Sequence, residues 1–193
     1  MKLRLALFAM LVTVVGLGAC RDPIQLEATR ETTTDTLTVY ALSGTPPSYP
    51  NALSLVARQI VPVSGFGGFD IVFDIDAAGN AVLHPARRVV TEGPFVPHVG
   101  LQKIAIQFEA LGEAPVAGYK VDSTVVASEG EVVVVEAVHN LGDGDLCTYA
   151  LKPQVYAKIA IDTIFVAARQ IKFRLGLDPN CGYRSFAPGI PTF

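Results

Sequence analysis

The chain of 193 residues carries 15 Lys and Arg against 18 Asp and Glu, and half of its residues are hydrophobic. Because nucleic-acid binding requires clustered Lys and Arg that neutralise phosphates, this slight acidity without basic clusters argues against a nucleic-acid partner. The length suits a single domain with a substantial hydrophobic core.

The first twenty residues have the layout of an export signal. Lys2 and Arg4 form a short positive region, and an uninterrupted apolar run extends over residues 5–15. The uncharged run that ends at Cys20 is shorter than the about 20 apolar residues of a transmembrane helix, which disfavours a permanent membrane span. Ordinary signal cleavage is disfavoured as well, because Leu17 occupies a position that prefers a small residue.

The segment Leu17-Gly18-Ala19-Cys20 resembles the lipobox of bacterial lipoprotein precursors. The resemblance implies that residues 1–19 are removed as a signal peptide and that the Cys20 thiol takes a diacylglyceryl group. The new amine would then usually be acylated with a fatty acid such as palmitate. Two or more acyl chains hold a protein stably on a membrane.

The resemblance therefore predicts an exported protein that is lipid-anchored to a cell membrane. In Gram-negative lipoproteins, an Asp directly after the lipidated cysteine is associated with retention in the inner membrane. Here Arg21 follows Cys20. In such an organism the outer membrane is therefore the favoured location, on its periplasmic or surface face.

Residues 20–36 are expected to form a flexible tether that begins with the lipidated Cys20, because they are polar, rich in Thr and lack an apolar period. Residues 37–193 are expected to form a single domain, which starts with a strand over residues 37–42. Three prolines make the chain irregular from there to Asn51.

Residues 52–63 allow two interpretations. Leu53, Val56 and Ile60 are spaced as on one face of a helix that Asn51 would cap. The β-branched residues and the proline at the end of the segment favour an extended strand instead, and a strand is the interpretation that we adopt.

Residues 69–90 form the clearest structural unit. Apolar side chains occupy alternate positions at Phe69, Ile71, Phe73 and Ile75. This period of two is satisfied only by a strand. Residues 76–80 contain the Asp, Gly and Asn of a tight turn. The sequence predicts a β-hairpin whose pairing continues over residues 87–90.

Further strands are predicted along the rest of the chain. Residues 101–108 alternate, with Ile104, Ile106 and Phe108 on one face. A second hairpin is predicted from residues 120–128 and 131–139, which flank a turn at Glu129-Gly130. The apolar run at residues 132–135 is typical of a central strand.

Residues 155–177 keep one phase of apolar side chains, either across two strands or along one bent strand. The odd positions hold Val155, Ala157, Ile159, Ile161, Phe165, Ile171, Phe173, Leu175 and Leu177. The Pro- and Gly-rich residues 178–193 are expected to lie over the surface. Eight to ten short strands without a helix predict an all-β fold, an antiparallel β-sandwich of Ig-like or jelly-roll-like type.

The cysteines agree with export. With Cys20 lipidated, Cys147 and Cys181 remain, an even number that suits an oxidising compartment. A Cys147–Cys181 disulfide is predicted, with two buried free thiols as the alternative. No cluster of Cys and His suggests zinc, and no metal or cofactor is predicted.

One acidic turn superficially follows the spacing of a calcium loop. Asp74 and Asp76 lie two residues apart, as in an EF-hand. Position five of that pattern is Ala78 and position twelve is Pro85, where ligands are required. A hairpin turn explains the same residues.

A second acidic loop contains Asn140, Asp143 and Asp145, whose oxygens could gather around a cation, although a solvated turn is the simpler interpretation. The chain has three histidines, His84, His98 and His139. Scattered along the sequence, they are expected at surface positions or as hydrogen-bonded core residues.

No nucleophile, metal or phosphate motif passes its spacing test. The sequence therefore predicts a membrane-anchored envelope lipoprotein whose β-domain is non-catalytic and binds a partner, an envelope protein or a glycan, or is structural. Two alternatives stay open, a lipoprotein hydrolase with a site built from loops and a calcium-stabilised adhesion module.

Overall fold

The computed structural model describes residues 26–64, 68–90 and 96–192, and Cys20 with the predicted signal lies outside them. Within these residues, eleven strands form two antiparallel sheets, which confirms the predicted all-β sandwich. The strands are β1 (Thr33–Tyr40), β2 (Ala52–Ser54), β3 (Gln59–Val61), β4 (Ile71–Ile75), β5 (Ala81–Pro85), β6 (Val99–Ile104), β7 (Lys120–Val121), β8 (Val125–Ala127), β9 (Val132–Val138), β10 (Gln154–Phe165) and β11 (Gln170–Asp178). Among the described residues, no helix is long and apolar enough to cross a membrane.

The six-stranded sheet has the order β1-β11-β10-β9-β6-β7, and the five-stranded sheet has the order β3-β2-β4-β5-β8. The strands outnumber the predicted eight to ten because two predicted strands each divide. Residues 52–63 form the short hairpin β2–β3, so the extended interpretation is confirmed there. Residues 120–128 contain β7 and β8, which belong to different sheets.

The main core lies between the sheets and depends on alternate residues of β9, β10 and β11. The predicted odd positions are buried over residues 155–161 and 171–177. Phe73 of β4 stacks on Phe173 of β11 with ring centroids 4.9 Å apart. Large aromatic side chains bury much apolar area, so this pair contributes strongly to the contact between the sheets.

The predicted phase fails at Phe165, which is exposed. A bulge shifts the register of β10 between Ile161 and Thr163, so Ile164 packs against the core in place of Phe165. β10 and β11 are two strands joined by a turn at residues 166–169, which excludes a single bent strand.

β4 and β5 form the predicted hairpin, and Asp76 fixes its turn. Its Oδ1 accepts hydrogen bonds from the backbone N–H of Ala78 at 2.9 Å and of Asn80 at 2.8 Å. The predicted pairing over residues 87–90 is wrong. A 3₁₀ turn at Ala86–Arg88 replaces it, because the backbone bonds locally there rather than across the sheet.

The second predicted hairpin is also wrong. β8 pairs with β5 in one sheet, whereas β9 pairs with β10 and β6 in the other, so the chain crosses between sheets at residues 128–131. A turn signal specifies a reversal but not the partner of each strand. β9 is central, as its apolar run predicted.

A third layer covers the outer face of the six-stranded sheet. This outer layer, residues 105–119 and 183–187, contributes Phe108, Leu111, Ala114 and Phe186 to a second core cluster. The predicted strand over residues 101–108 stops at Ile104, because Gln107 then accepts turn hydrogen bonds that lay the chain across the sheet. Ile106 is exposed as a result.

β1 begins at Thr33, inside the predicted tether. Just before it, the backbone N–H groups of Thr29 and Arg30 donate to Oδ1 of Asn180 at 3.0 and 3.1 Å. The end of residues 20–36 therefore belongs to the body. Its Thr-rich composition is that of an edge strand with four exposed residues among eight, which sequence alone does not separate from a tether.

The pairing register of the strands shows which strand ends lie together at each end of the sandwich. The end of β9 and of β11 and the start of β10 and of β1 lie together. His139 directly follows β9, so we call this end the His139 pole. At the opposite end, the hairpin pole, Arg169 of the β10–β11 turn pairs with Asp74 of β4 at 2.7 Å.

Candidate functional site

The predicted disulfide joins two elements at the His139 pole. Cys147, in the loop after β9, is bonded to Cys181, just after β11. The backbone N–H of Cys147 donates to the carbonyl of His139 at 2.9 Å. The cross-link therefore holds the loop that carries the polar residues described next.

A buried charged triad lies beside the disulfide. Asp70 immediately precedes β4, His139 follows β9, and Asp145 belongs to the loop between β9 and β10. Nε2 of His139 is 3.0 Å from Oδ1 of Asp70, and Nδ1 is 3.2 Å from Oδ1 of Asp145. The side chains of Asp70 and His139 are only 1% and 6% exposed.

The surroundings determine the charge of His139. Carboxylate oxygens only accept hydrogen bonds, so both ring nitrogens face acceptors and the doubly protonated imidazolium is favoured. Burial alone would lower the pKa of His139, but Asp70 and then Asp145 outweigh it and raise that pKa above its usual value. With two carboxylates and one imidazolium, the triad has an excess of one negative charge.

Each carboxylate also fixes local backbone. Oδ2 of Asp70 accepts from the N–H of Leu55 at 2.7 Å. Oδ2 of Asp145 accepts from Leu141 at 2.9 Å, and its Oδ1 accepts from Leu146 at 2.8 Å. The Asp70–His139 contact is close but not aligned as a hydrogen bond, so Oδ1 and Nε2 have no hydrogen-bond partner among the described residues.

The triad lines a cavity of about 420 Å³, the His139 pocket. Its described lining residues are Ser54, Val56, Ala57, Gln59, Val61, Gly68, Phe69, Asp70, Pro97, His139, Leu141, Gly142, Asp143, Gly144 and Asp145. The wall is largely apolar, and no Lys or Arg occurs in that part of the lining. Ligand sites usually combine such a wall with a few placed polar groups.

The two acidic loops that were weighed as calcium sites are arranged differently from cation sites. Asp74 is paired with Arg169, and Asp76 caps its own turn. In the second loop, Asp145 bonds His139, whereas Asp143 accepts from the hydroxyl of Tyr149 at 3.3 Å. Within the described ranges, no three acidic, His or Cys side chains are grouped to hold a metal ion.

The other two histidines have separate partners. Nδ1 of His84 lies 3.0 Å from Oγ1 of Thr124, and Nδ1 of His98 lies 2.5 Å from Oδ2 of Asp122. Only His139 contributes to the pocket. The sequence predicts His139 only as a surface or hydrogen-bonded core residue, and Asp70 follows the alternation of its segment without a signal of its own.

A second, larger cleft of about 840 Å³ adjoins the outer layer. Tyr156 donates to Oε2 of Glu136 there at 2.8 Å, and Arg184 pairs with Glu113. Burial raises the pKa of Tyr156 above its usual range. Because these polar groups already satisfy one another, the cleft offers fewer uncompensated charges than the His139 pocket.

The fold and the pocket together define the class of this protein. It is an antiparallel, disulfide-bonded β-sandwich with an acidic pocket of largely apolar wall at one pole. No family model, curated protein or solved structure matches the chain.

Proposed function

We propose that this chain is an exported envelope lipoprotein, held on its membrane through lipid on Cys20, whose β-sandwich binds a partner without catalysing a reaction. The observation that carries the binding role is the His139 pocket, which joins an apolar wall to buried charges. An envelope protein or a glycan is the proposed kind of partner.

The state of His139 supports binding over hydrolysis. A general base needs an unprotonated nitrogen within reach of the proton that it removes. Both ring nitrogens of His139 instead face carboxylates at 3.0 and 3.2 Å, so neither nitrogen is directed at a place that a substrate proton could occupy. The triad thereby holds charge in place rather than moving a proton.

The disulfide supports export, because disulfides persist in oxidising compartments and are rare in reducing ones. It agrees with the lipobox resemblance at Cys20. In a Gram-negative organism, the proposed location is the outer membrane.

The position of the N-terminal segment supports a partner near the membrane. Thr29 and Arg30 are bound at the His139 pole, the end that carries the pocket. From Cys20 to Thr29, an extended chain reaches at most about 30 Å. A lipid on Cys20 would therefore keep the pocket close to the bilayer surface.

Metabolic labelling tests the anchor. Cells given labelled palmitate should label the protein, and Cys20→Ser should abolish the label. A Cys147→Ser, Cys181→Ser variant is the matched control, since it loses the two disulfide-bonded cysteines and should keep the label. Label that survives Cys20→Ser would contradict the proposal.

Site-directed crosslinking tests the binding role. A photoreactive residue at Gln59, in the pocket lining, should capture a defined partner in envelope fractions, whereas the same residue at Val166, in the hairpin pole, should not. A panel of hydrolase substrates is run beside it. Turnover that disappears in His139→Gln while the fold is retained would show the hydrolase alternative to be correct.

A further inference from the structure

We propose that the His139 pocket binds an organic cation, a protonated amine or a guanidinium carried on a short aliphatic chain. The inference rests on the proposed binding function and names the ligand class of the same site. Such a group occurs free in small amines and as the side chain of Lys or Arg in a protein, and the experiment distinguishes these sources.

The first argument is charge. Asp70, Asp143 and Asp145 line the pocket with His139, so three carboxylates face one imidazolium, a net formal charge of −2. Arg58 lies in the chain between two lining residues, but it is not among the described residues of the wall. In a partly enclosed site such an excess favours a cation and opposes anions such as phosphate.

The second argument is an unsatisfied acceptor. Oδ1 of Asp70 belongs to a side chain that is 1% exposed, and it has no hydrogen-bond partner within the described ranges. Carboxylate oxygens accept more than one hydrogen bond. The nearest donor to Oδ1 is Nε2 of His139, 3.0 Å away but not aligned, and an ammonium or guanidinium group in the pocket would reduce the excess negative charge of the triad.

The third argument is the wall. Val56, Val61, Phe69 and Leu141 present apolar surface to the cavity. A bare inorganic cation gains nothing from such a surface, whereas an aliphatic chain removes it from water. A volume of about 420 Å³ lies in the usual size range of small-molecule sites.

Asp143 makes the proposal testable without disturbing the buried triad. It is exposed, and its contact with Tyr149 is a single hydrogen bond at the surface. Gln59 is likewise exposed in β3 and lines the same cavity. Both positions allow the charge of the pocket to be changed while the fold is kept.

The test titrates the processed, isotope-labelled protein, extracted from its membrane, with three four-carbon probes and follows the amide signals of Gly142 and Gly144. n-Butylammonium, which copies the Lys side chain, should bind at least about tenfold more tightly than n-butanol, and butyrate should not bind. N-acetyl-lysine methylamide, as a mimic of a protein side chain, is compared with the free amine. If N-acetyl-lysine methylamide binds more tightly, the ligand is a side chain of a protein. If n-butylammonium binds more tightly, the ligand is a free small amine.

Variants tie the binding to the pocket. Asp143→Asn should weaken n-butylammonium binding by about two- to fivefold, the worth of an exposed ion pair, whereas Asp35→Asn on β1 should leave it unchanged. Gln59→Lys should abolish binding and Gln59→Glu should strengthen it. Equal affinity for n-butanol and n-butylammonium, or equal loss in Asp35→Asn and Asp143→Asn, would overturn the proposal.

The result is separable from the proposed function. If Gln59→Lys, with the photoreactive residue moved to Ala57 of the same lining, still captures the envelope partner, the binding function stands and the cation site is wrong. If palmitate labelling fails while n-butylammonium binds as expected, the anchor is wrong and the site stands.

Discussion

The outer layer and the His139 pole each bury a cationic side chain, but they hold it in different ways. Nζ of Lys158 donates to the carbonyls of Phe108 at 2.6 Å and Leu111 at 2.9 Å, and it lies 4.3 Å from the centre of the Phe108 ring. None of its described partners at hydrogen-bond distance is a carboxylate. His139 lies between two.

The pKa values move in opposite directions for this reason. Burial lowers the pKa of Lys158, and the attraction of Glu109 does not reverse the shift. Burial also opposes the charge on His139, yet the contacts with Asp70 and Asp145 reverse the direction and raise its pKa. Carbonyl dipoles and aromatic rings accommodate a buried cation, whereas a carboxylate in direct contact favours its charged form.

The largest expected effect is the loss of His139. His139→Ala leaves Asp70 and Asp145 without their shared cation, and an uncompensated buried charge typically costs about 3–5 kcal/mol. Chemical denaturation measures the free energy of unfolding. His84→Ala, which removes a hydrogen bond with Thr124 rather than a buried ion pair, is the control and should cost far less. An equal loss of unfolding free energy in both variants would show that the buried triad stabilises the fold no more than the contact of His84 does.

The disulfide is the second support of the same pole. Replacing Cys147 and Cys181 by Ser should destabilise by roughly 3–4 kcal/mol in the chain-entropy model, because the bond closes a loop with a sequence separation of 34. Unfolding with and without reductant measures the cost. A reductant that leaves the stability of the wild type unchanged would contradict this prediction.

At the outer layer, Lys158→Met should cost about 1–3 kcal/mol. The substitution keeps most of the apolar stem but leaves the carbonyls of Phe108 and Leu111 without a donor. Lys172→Met, at an exposed position of β11, is the matched control. Denaturation should show a loss only in Lys158→Met, with faster proteolysis of residues 105–119.

The smallest expected effects are the pH dependences, which should have opposite signs. The folded-state pKa of His139 lies above its usual 6.5, so its contribution is fully present below that value and is lost as pH rises through the folded pKa. The folded-state pKa of Lys158 lies below its usual 10.5, so burial costs stability at lower pH and the cost disappears as pH approaches 10.5.

Stability profiles measured from pH 6 to 10.5 check both signs. His139→Gln should remove the loss of stability that begins above pH 6.5, and Lys158→Met should remove the recovery as pH approaches 10.5. If a variant keeps the pH dependence of the wild type, that pH dependence does not arise from the residue that was replaced.

Elements with a strong alternating pattern could be predicted from the sequence. The β4–β5 hairpin follows from its period of two and the Asp76 turn, and the core phase of β10 and β11 follows in the same way. The prediction fails where local signals cannot specify a partner. Glu129-Gly130 has turn chemistry in either topology, and only the pairing of β8 with β5 shows that the chain changes sheet.

The candidate site could be predicted only in part. Asp145 lies in a loop that the sequence identified as acidic, and His139, six residues earlier, ends the strand predicted before that loop. Asp70 is 69 residues away from His139 and resembles the other polar residues of its strand. Its burial and its unmatched oxygen exist only when β4 and β9 belong to facing sheets.

By itself, the sequence determined the β-sandwich class, because alternation and turn chemistry are local properties of the chain. It also singled out Cys147 and Cys181, since no other cysteine remains once Cys20 is set aside. Only the tertiary structure shows that an outer layer covers Lys158, that His139 is charged and that a pocket lies beside His139. These features depend on burial and on contacts between residues distant in sequence, and no local pattern encodes the dielectric surroundings or the charge of a partner brought near by folding.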